Sequence, residues 1–323
     1  MKDSLLYYSV GPLLYCPATN EGLASSLKQE RFGRHFSLAI CLEDTIRDDR
    51  VEEAEASLIH TMENLFQSVN EAHKPFFLPK IFIRVRSPKQ ISSLMERLKE
   101  AKRLITGFII PKFSLENADI YIEEIQKQNL MSEQPVYMMP ILESPAMIHL
   151  QKRHQILYSL KEKLDRIEEL VLNIRVGGND LCHMFGFRRH SDESIHSIRS
   201  ISDIFSDIIT VFGMDYVISG PVWEYYDGTG WDAGLRRELK EDRLCGFVGK
   251  TVIHPNQIDL VNEAYKVSEK DYSDAKAVLK WDEGCPGLVS GSVARERMNE
   301  YKTHSNWAMS IFMLAEAYGV QNI

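Results

Sequence analysis

The sequence predicts an α/β fold, namely a (β/α)8 TIM barrel with a C-terminal helical extension. Eight short apolar runs alternate with longer charged stretches of helical period, as in parallel strands connected by helices. Runs such as LAICL and GFIIP are almost wholly apolar, which is typical of strands buried on both faces. An open doubly wound sheet is the alternative, but no GxGxxG motif follows the first run.

The predicted elements follow one another in regular order along the 323 residues. Strands are expected at 13–16, 36–42, 81–86, 107–112, 136–143, 170–176, 216–220 and 247–253. The helices expected include 51–72, 88–102, 115–128, 144–164 and 257–266. We therefore divide the chain into a catalytic barrel, residues 1–270, and an extension that could act as a lid, residues 271–323.

Two stretches of the extension carry a structural signal. GCPGLVSGS, at 284–292, is rich in Gly, Ser and Pro and predicts a loop or hinge. NWAMSIFMLAEAYG, at 306–319, predicts an apolar helix that packs on the barrel or on a second subunit.

Composition argues against several classes of function. A net charge of −8 argues against nucleic acid as a partner. The apolar N-terminal segment is interrupted by Gly11 and Pro12, which favours a strand over a signal peptide, and no apolar run is long enough to span a membrane. The five cysteines form no CxxC pair, so we expect a reduced cytoplasmic protein without disulfides or a zinc knuckle. The absence of GxSxG gives no support to a serine hydrolase.

Polar residues cluster where the apolar runs stop. In a closed barrel these strand ends converge on one mouth, where the active sites of such barrels lie. The residues at these ends are Glu43, Asp44, Arg84, Arg86, Lys112, Glu143, Asn179, Asp180 and His254.

Glu143 and Asp180 end the fifth and sixth predicted strands and form the candidate metal site. Two carboxylates from adjacent strands suit Mg²⁺, whose remaining ligands come from water and substrate oxygens. Gly177 and Gly178 would let the backbone approach the ion closely. Each acid taken alone is also typical of a helix N-cap or a structural ion pair, and that alternative stays open.

The strand-end cations have more than one interpretation. Arg84 and Arg86 are two residues apart, so we expect both side chains on the same side, where guanidinium groups bind a carboxylate or stabilise an enolate. An ion pair with Glu43 or Asp44 is the alternative. Lys112 fits a Schiff base, but the preceding proline and the nearby acids favour a charged structural or substrate-binding residue.

Three further positions are candidate substrate-binding residues. His254 stands at a strand end just before a helix, where a base is conceivable and a capping or packing histidine is more common. Gly178 and Asn179 belong to the loop that carries Asp180, and we assign them to substrate binding.

Seven segments resemble, in order, the motifs of the HpcH/HpaI aldolase and citrate lyase β-subunit family of (β/α)8 barrels. That family includes citrate lyase β subunits, malyl-thioester lyases and 2-oxoacid aldolases. The segments lie within about 13–265 and are LLYCPATN, ICLEDTIRDDRVEEA, IFIRVRSP, GFIIPKF, MPILESPAMI, RVGGNDLCHMFGFRR and CGFVGKTVIHPNQIDLVNEAY.

The resemblance implies a lyase and a set of roles. It implies a Mg²⁺-dependent carbon–carbon bond lyase or aldolase, or the reverse condensation, acting on a 2-oxo acid or hydroxy acid unit. Glu143 and Asp180 would bind the ion, Arg84 would bind the substrate or enolate, and Glu43 and Asp44 would be acids lining the mouth. The partners implied are a small 2-oxo acid or acyl substrate, in some relatives a thioester, and identical subunits in a homotrimer or homohexamer.

This sequence departs from the family pattern in three places. The family's opening Arg-Ser is replaced by Gly11-Pro12, and Arg86 stands where the family has Asn, so we hypothesise that Arg86 supplies the missing cation. Glu300 falls near the position of the family's lid Asp, which reaches a neighbouring subunit's site. These departures weaken the case for a coenzyme A thioester and resemble the branch associated with tellurite-resistance-type stress gene clusters.

Two other functions are compatible with the same residues. One is a Mg²⁺-dependent phosphoenolpyruvate or oxoacid enzyme that transfers or hydrolyses. The other is a non-catalytic barrel that binds a metabolite, although the presence of Glu143, Asp180 and Arg84 together argues against it.

Overall fold

The computed structural model describes residues 2, 4–71, 75–281 and 287–321. Its main sheet consists of β1 (Pro12–Pro17), β2 (Ser37–Cys41), β3 (Lys80–Arg84), β4 (Ile105–Ile110), β5 (Tyr137–Leu142), β6 (Ile174–Val176), β7 (Ile218–Ser219) and β8 (Lys250–Val252). The eight strands are parallel and neighbour one another in chain order, with β8 beside β1. A bridge between Gly220 and Lys250 joins β7 to β8 and closes the barrel, which confirms the predicted fold.

Helices surround the barrel and bury one face each. In chain order they are α1 (Leu5–Tyr8), α2 (Leu23–Lys28), α3 (Val51–Glu71), α4 (Pro88–Arg97), α5 (Ala118–Met131), α6 (Leu150–Leu164), α7 (Gly178–Phe185), α8 (Arg199–Phe212), α9 (Trp231–Cys245), α10 (Ile258–Tyr265), α11 (Glu269–Leu279) and α12 (Tyr301–Tyr318). In α3, Ala54, Leu58, Met62 and Leu65 are buried, at the spacing of one helical face. Within the described residues, no helix combines the length and the apolarity that a membrane span requires.

Several predicted bounds differ from the observed ones. The helix expected at 88–102 ends at Arg97, and a 3-10 segment, Lys99–Leu104, follows it. Lys99 interrupts the helix because its φ is +49°, outside the right-handed helical region. The helix expected at 144–164 begins as the 3-10 turn Pro145–Ile148 before α6.

The barrel interior is filled below the mouth by an apolar layer. Its buried members are Val10, Leu13, Ala39, Phe82, Ile109, Met139, Ile141 and Leu172. These residues lie on β1 to β5 or just before β1 and β6, and they pack together as one cluster inside the barrel.

A β-bulge precedes the end of β6. Met138 pairs with Val171, whereas Ile141 pairs with Arg175, so the β6 side holds one more residue between these pairs than the β5 side. Side chains alternate along a regular strand, but the extra residue lets Leu172 and Arg175 both face the interior although they are three positions apart.

The extension forms two small sheets and a helical pair. β9 (Val267–Ser268) pairs with β12 (Val320–Gln321), and β10 (Val289–Gly291) pairs with β11 (Met298–Glu300). Residues 284–286 of the predicted loop lie outside the described residues, and the loop prediction is wrong for 289–291 because these residues pair antiparallel with β11. The predicted apolar helix is α12, which packs on α11, α10 and α1.

Candidate active site

Arg84, the last residue of β3, lies at the centre of a carboxylate cluster at the mouth. Its Nη2 atom is 2.7 Å from Oε2 of Glu43, 2.8 Å from Oδ2 of Asp44 and 3.3 Å from Oε1 of Glu143. Burial disfavours the charged form of Arg84, but the acidic groups around it, Tyr15 and Glu143 foremost, raise its pKa. The guanidinium is therefore a fixed cation in a largely dry site.

Lys112, two residues after β4, provides a second cation on the open side of the cluster. Its Nζ atom is 2.6 Å from Oε1 of Glu43 and 3.1 Å from Oδ1 of Asp44. The φ of Lys112 is +49°, a left-handed conformation rare in residues other than glycine, and its backbone N–H donates to Oε1 of Glu143 at 3.0 Å. The strained backbone thus aims one donor at the buried glutamate.

The cations set the ionisation of the two acids that follow β2. Burial raises the pKa of Glu43, although the charge of Arg84 opposes the shift. The pKa of Asp44 is lowered, because its hydrogen bond with Glu43 and the charge of Arg84 outweigh partial burial. For Lys112, burial acts against the charge, but hydrogen bonds with both acids raise its pKa. Of this pair, Glu43 is the better proton carrier near neutral pH.

Glu143 and Asp180 are brought together from the ends of β5 and β6. Glu143 is 3% exposed, and Asp180 lies in the first turn of α7. Burial raises the pKa of Glu143 to about 8; the Arg84 charge opposes this shift, and the charge and hydrogen bonding of Asp180 add to it. The two carboxyl groups are thus close enough to share a proton.

Two glycines make this approach of the strand ends sterically feasible. A Cβ on Gly177 would lie 2.1 Å from Oε2 of Glu143, well inside van der Waals contact. A Cβ on Gly178 would lie 2.7 Å from Cδ1 of Ile195 and 2.9 Å from Cβ of Pro221. Gly178 therefore serves packing at this position, and Gly177 leaves the space in which the Glu143 carboxyl lies.

The Glu143–Asp180 pair has the donor chemistry of a magnesium site. No group of three or more His, Cys, Asp or Glu side chains in the described ranges is arranged to hold a metal. Mg²⁺ is commonly held by one or two carboxylates, with water and substrate oxygens as further ligands. A divalent cation would also offset the burial of the carboxylate and the charge of Asp180, which together raise the pKa of Glu143.

The structure does not bring Arg86 to this cluster. Its guanidinium donates to the backbone carbonyls of Leu42, Glu43 and Ile46 and pairs with Asp48. The hypothesis that Arg86 replaces the missing entrance cation is not supported, because the strand ends at Arg84 and the alternation of side chains does not continue beyond it. Arg86 instead holds the loop that carries the two acids.

His254 and Asn179 lie at the mouth end of the barrel but outside the cluster. Nδ1 of His254 accepts from the backbone N–H of Asn256 at 3.2 Å, which is the capping role, and the imidazole stacks on Tyr226 with ring centroids 4.8 Å apart. Asn179 is exposed and lines a separate cavity of about 280 Å³ beside α7. Their assignment to substrate binding stays a prediction.

Glu300 lies in the extension, at the end of β11. Its backbone N–H donates to Nδ1 of His304 at 2.9 Å, and β11 pairs with β10. None of its described contacts is with the carboxylate cluster of its own chain. A lid role for Glu300 would therefore require the mouth of a second subunit.

Two inward-facing residues were not identified from the sequence. Tyr15 lies two positions after the inner residue Leu13, and its ring centroid is 5.9 Å from Cζ of Arg84. Period-two alternation along β1 is a signal that points to Tyr15. Arg175 carries no such signal, because the bulge on β6 reverses the face that alternation from Leu172 predicts.

Solved structures with the same fold confirm the barrel. CitE of Mycobacterium tuberculosis, in complex with magnesium, acetoacetate and coenzyme A, matches with a TM-score of 0.61 and 17% identity over 96% of this chain and 99% of that chain. The citrate lyase β subunit of the same organism, complexed with oxaloacetate and magnesium, matches with a TM-score of 0.52 and 18% identity over 81% of this chain and 99% of that chain.

Sequence comparison gives the family. A segment of 62 residues is 34% identical to L-malyl-CoA/β-methylmalyl-CoA lyase of Cereibacter sphaeroides and covers 19% of this chain. The match spans only 18% of the length of that lyase. The family model described as C–C bond lyase of the TIM-barrel fold matches residues 4–320. Since that match takes in almost the whole chain, the protein belongs to this family of carbon–carbon bond lyases.

Proposed function

We propose that the protein is a magnesium-dependent lyase or aldolase that breaks, or in reverse forms, a carbon–carbon bond of a 2-oxo acid or hydroxy acid unit. The observation that carries the proposal is the paired carboxyl groups of Glu143 and Asp180 beside the fixed cation Arg84. The magnesium and the small oxo acids in the CitE and citrate lyase β-subunit structures support the same assignment.

Each residue of the cluster has a role in this reaction. Glu143 and Asp180 would hold the ion, which when bound supplies Lewis acidity to the substrate oxygens. Arg84 donates to the oxygen that becomes negative in the enolate, and a preorganised donor of this kind contributes about 3–4 kcal/mol to the transition state. Lys112 and Arg84 hold Glu43 and Asp44 at the edge of this site.

Cleavage requires one proton to leave the substrate and one to return. The hydroxyl proton leaves, the hydroxyl oxygen becomes a carbonyl oxygen, and the electron pair of the broken bond becomes the enolate of the second fragment. That enolate then takes a proton on carbon. We assign the first transfer to Glu43, because burial raises its pKa towards neutrality and it lies beside Arg84.

The extension suggests how subunits take part. We propose a homotrimer or homohexamer in which Glu300 of one chain approaches the mouth of another, since Glu300 has no described contact with its own mouth. Light scattering of the full chain measures the assembly. A strictly monomeric protein with full activity would remove Glu300 from the site.

Magnesium titration with an activity assay tests the proposal. Calorimetry on the full-length protein should show Mg²⁺ binding that Glu143→Gln and Asp180→Asn abolish, while the exposed control Glu123→Gln keeps it. Hydroxy acids and their thioesters should be cleaved with release of pyruvate or glyoxylate. A wild-type protein that binds no Mg²⁺ would favour a metabolite-binding barrel, and transfer or hydrolysis without cleavage would favour the other enzyme class.

A further inference from the structure

Arg175 places an unbalanced positive charge inside the barrel. It is 1% exposed, and its Nη2 atom donates to Oγ1 of Thr251 at 2.6 Å. Its Nε and Nη1 atoms are buried and have no partner at hydrogen-bonding geometry among the described residues. The groups that favour its charge are the phenols of Tyr15 and Tyr318, and no carboxylate in the described chain acts with them.

The fold itself gains little from this charge. Burial lowers the pKa of Arg175, which shows that the surroundings disfavour the guanidinium cation. Buried donors without partners destabilise a fold, and apolar residues of similar volume often replace buried ions without loss of stability. An arginine at this position is therefore better explained by a ligand than by packing.

The position of Arg175 connects it to the mouth. It pairs across the sheet with Ile141, two residues before Glu143, and so lies one inner layer below that carboxyl. Tyr15 lies between the two layers: it is half-buried, its ring is near Arg84, and its phenol is close enough to Arg175 to favour the guanidinium charge. Two unpaired donor atoms, Nε and Nη1, thus lie one layer below the mouth, next to a tyrosine whose ring is near Arg84.

We propose that Tyr15 and Arg175 form a donor pair on the floor of the mouth that binds the carboxylate of the substrate, an inference that rests on the proposed function. The charge balance supports one anionic group. Arg84 and Lys112 balance the two acids after β2, and a divalent ion balances Glu143 and Asp180. Arg175 then remains as one positive charge, which a monocarboxylate would neutralise.

Calorimetry with pyruvate as the probe tests the donor pair. The Mg²⁺-loaded full-length protein is compared with Arg175→Met, Tyr15→Phe and the double variant, and Tyr137→Phe is the matched control on the same inner surface. We expect pyruvate binding at least tenfold weaker in Arg175→Met, weaker in Tyr15→Phe, and less than additive in the double variant. Mg²⁺ affinity should stay unchanged, and Tm should not fall in Arg175→Met.

Methyl pyruvate, which lacks the negative charge, is the matched ligand control. The preference of the wild type for pyruvate over methyl pyruvate should shrink at least tenfold in Arg175→Met, an effect that a purely structural role would not produce. If Arg175→Met does not fold, the preference for pyruvate over methyl pyruvate is compared between the wild type and the variants Tyr15→Phe and Arg175→Lys.

The outcomes separate the donor pair from the metal site. Equal pyruvate binding by wild type and Arg175→Met, with normal Mg²⁺ binding, would overturn the donor pair and leave the proposed function intact. Wild type that binds no Mg²⁺ would remove the proposed function. Pyruvate titration without metal then tests the donor pair. The proposal is contradicted if pyruvate does not bind, or if Arg175→Met does not weaken its binding.

Discussion

Oε1 of Glu143 lies 3.3 Å from Nη2 of Arg84 and also accepts the backbone N–H of Lys112 at 3.0 Å. The other oxygen, Oε2, faces the space that Gly177 leaves by lacking a side chain. Oε1 is thus engaged by Arg84 and Lys112, and Oε2 lies beside Gly177, the residue before α7, whose first turn carries Asp180. In the proposed function, this division would let a single carboxylate orient the cation Arg84 and bind a metal ion at the same time.

The stability of the metal-free protein should fall as the pH rises from about 5 to about 8. Burial raises the pKa of Glu143 from 4.5 to about 8, so the folded protein binds this proton more tightly than the unfolded chain does. The stabilisation is complete below pH 4.5 and is lost as the pH passes about 8. One such group changes the free energy of unfolding by at most about 1.4 kcal/mol per pH unit.

Urea unfolding in a chelator at several pH values measures this slope. In Glu143→Gln this position cannot titrate, so the free energy of unfolding should change less with pH over the same interval. Saturating Mg²⁺ should likewise reduce the pH dependence of the wild type. A variant with the wild-type slope would show that other groups cause the dependence.

Gly177→Ala should remove metal binding and lower stability. The added Cβ would lie 2.1 Å from Oε2 of Glu143, so either the carboxyl or the backbone of the loop must move. Overpacking of this kind costs about 1–3 kcal/mol. Calorimetry and urea unfolding report the two effects. Gly291→Ala is the matched control because no atom lies within 4 Å of its added Cβ, and a similar loss there would point to a general glycine effect.

Arg84→Met should reduce kcat at saturating magnesium by about a hundredfold to a thousandfold, as expected for loss of one preorganised donor. It should also lower Tm at neutral pH, since Glu43 and Glu143 lose the cation between them. Arg84→Lys keeps the charge but not the planar geometry, so its kcat should lie between those of the wild type and Arg84→Met. Unchanged turnover in Arg84→Met would exclude enolate stabilisation by this residue.

Arg86→Asn should act mainly on stability. Loss of the guanidinium leaves the carbonyls of Leu42, Glu43 and Ile46 without this donor, at a cost of about 1–3 kcal/mol. Mg²⁺ affinity should be unchanged, because Glu143 and Asp180 follow other strands, β5 and β6. Arg47→Asn is the matched control in the same loop, since this arginine is exposed and pairs only with nearby Asp49 among its described partners. An equal loss of stability in both variants would contradict the conclusion that Arg86 holds the loop that carries Glu43 and Asp44.

The sequence predicted which residues cluster at the mouth where that clustering depends on strand ends. Glu43, Arg84, Lys112, Glu143 and Asp180 each follow or end an apolar run, and barrel closure alone is enough to bring them to one mouth. The prediction for Arg86 did not hold because alternation applies inside a strand, whereas β3 stops two residues earlier. Where the last strand residue lies depends on pairing with neighbours, which a single segment does not reveal.

The barrel and its order of elements were also predictable, since eight apolar runs alternate with helical stretches. The bulge on β6 was not, because it is visible only as a change of register between Met138–Val171 and Ile141–Arg175. Alternation from Leu172 would place Arg175 outside the barrel. The strand β10 was hidden by the Gly and Ser residues around it, whose composition favours turns.

An apolar layer fills the barrel below the mouth, with Leu13, Phe82 and Met139 among its members. It blocks passage through the barrel from the mouth to the opposite end. For an enzyme that splits one molecule into two, both fragments must depart through the opening by which the reactant arrived. Under the proposed function we expect the fragment bound deepest to leave last, so that product release is ordered. We then expect accumulation of the outer fragment in solution to slow cleavage by recombination with the inner one, and the same site to support condensation when the concentrations are reversed.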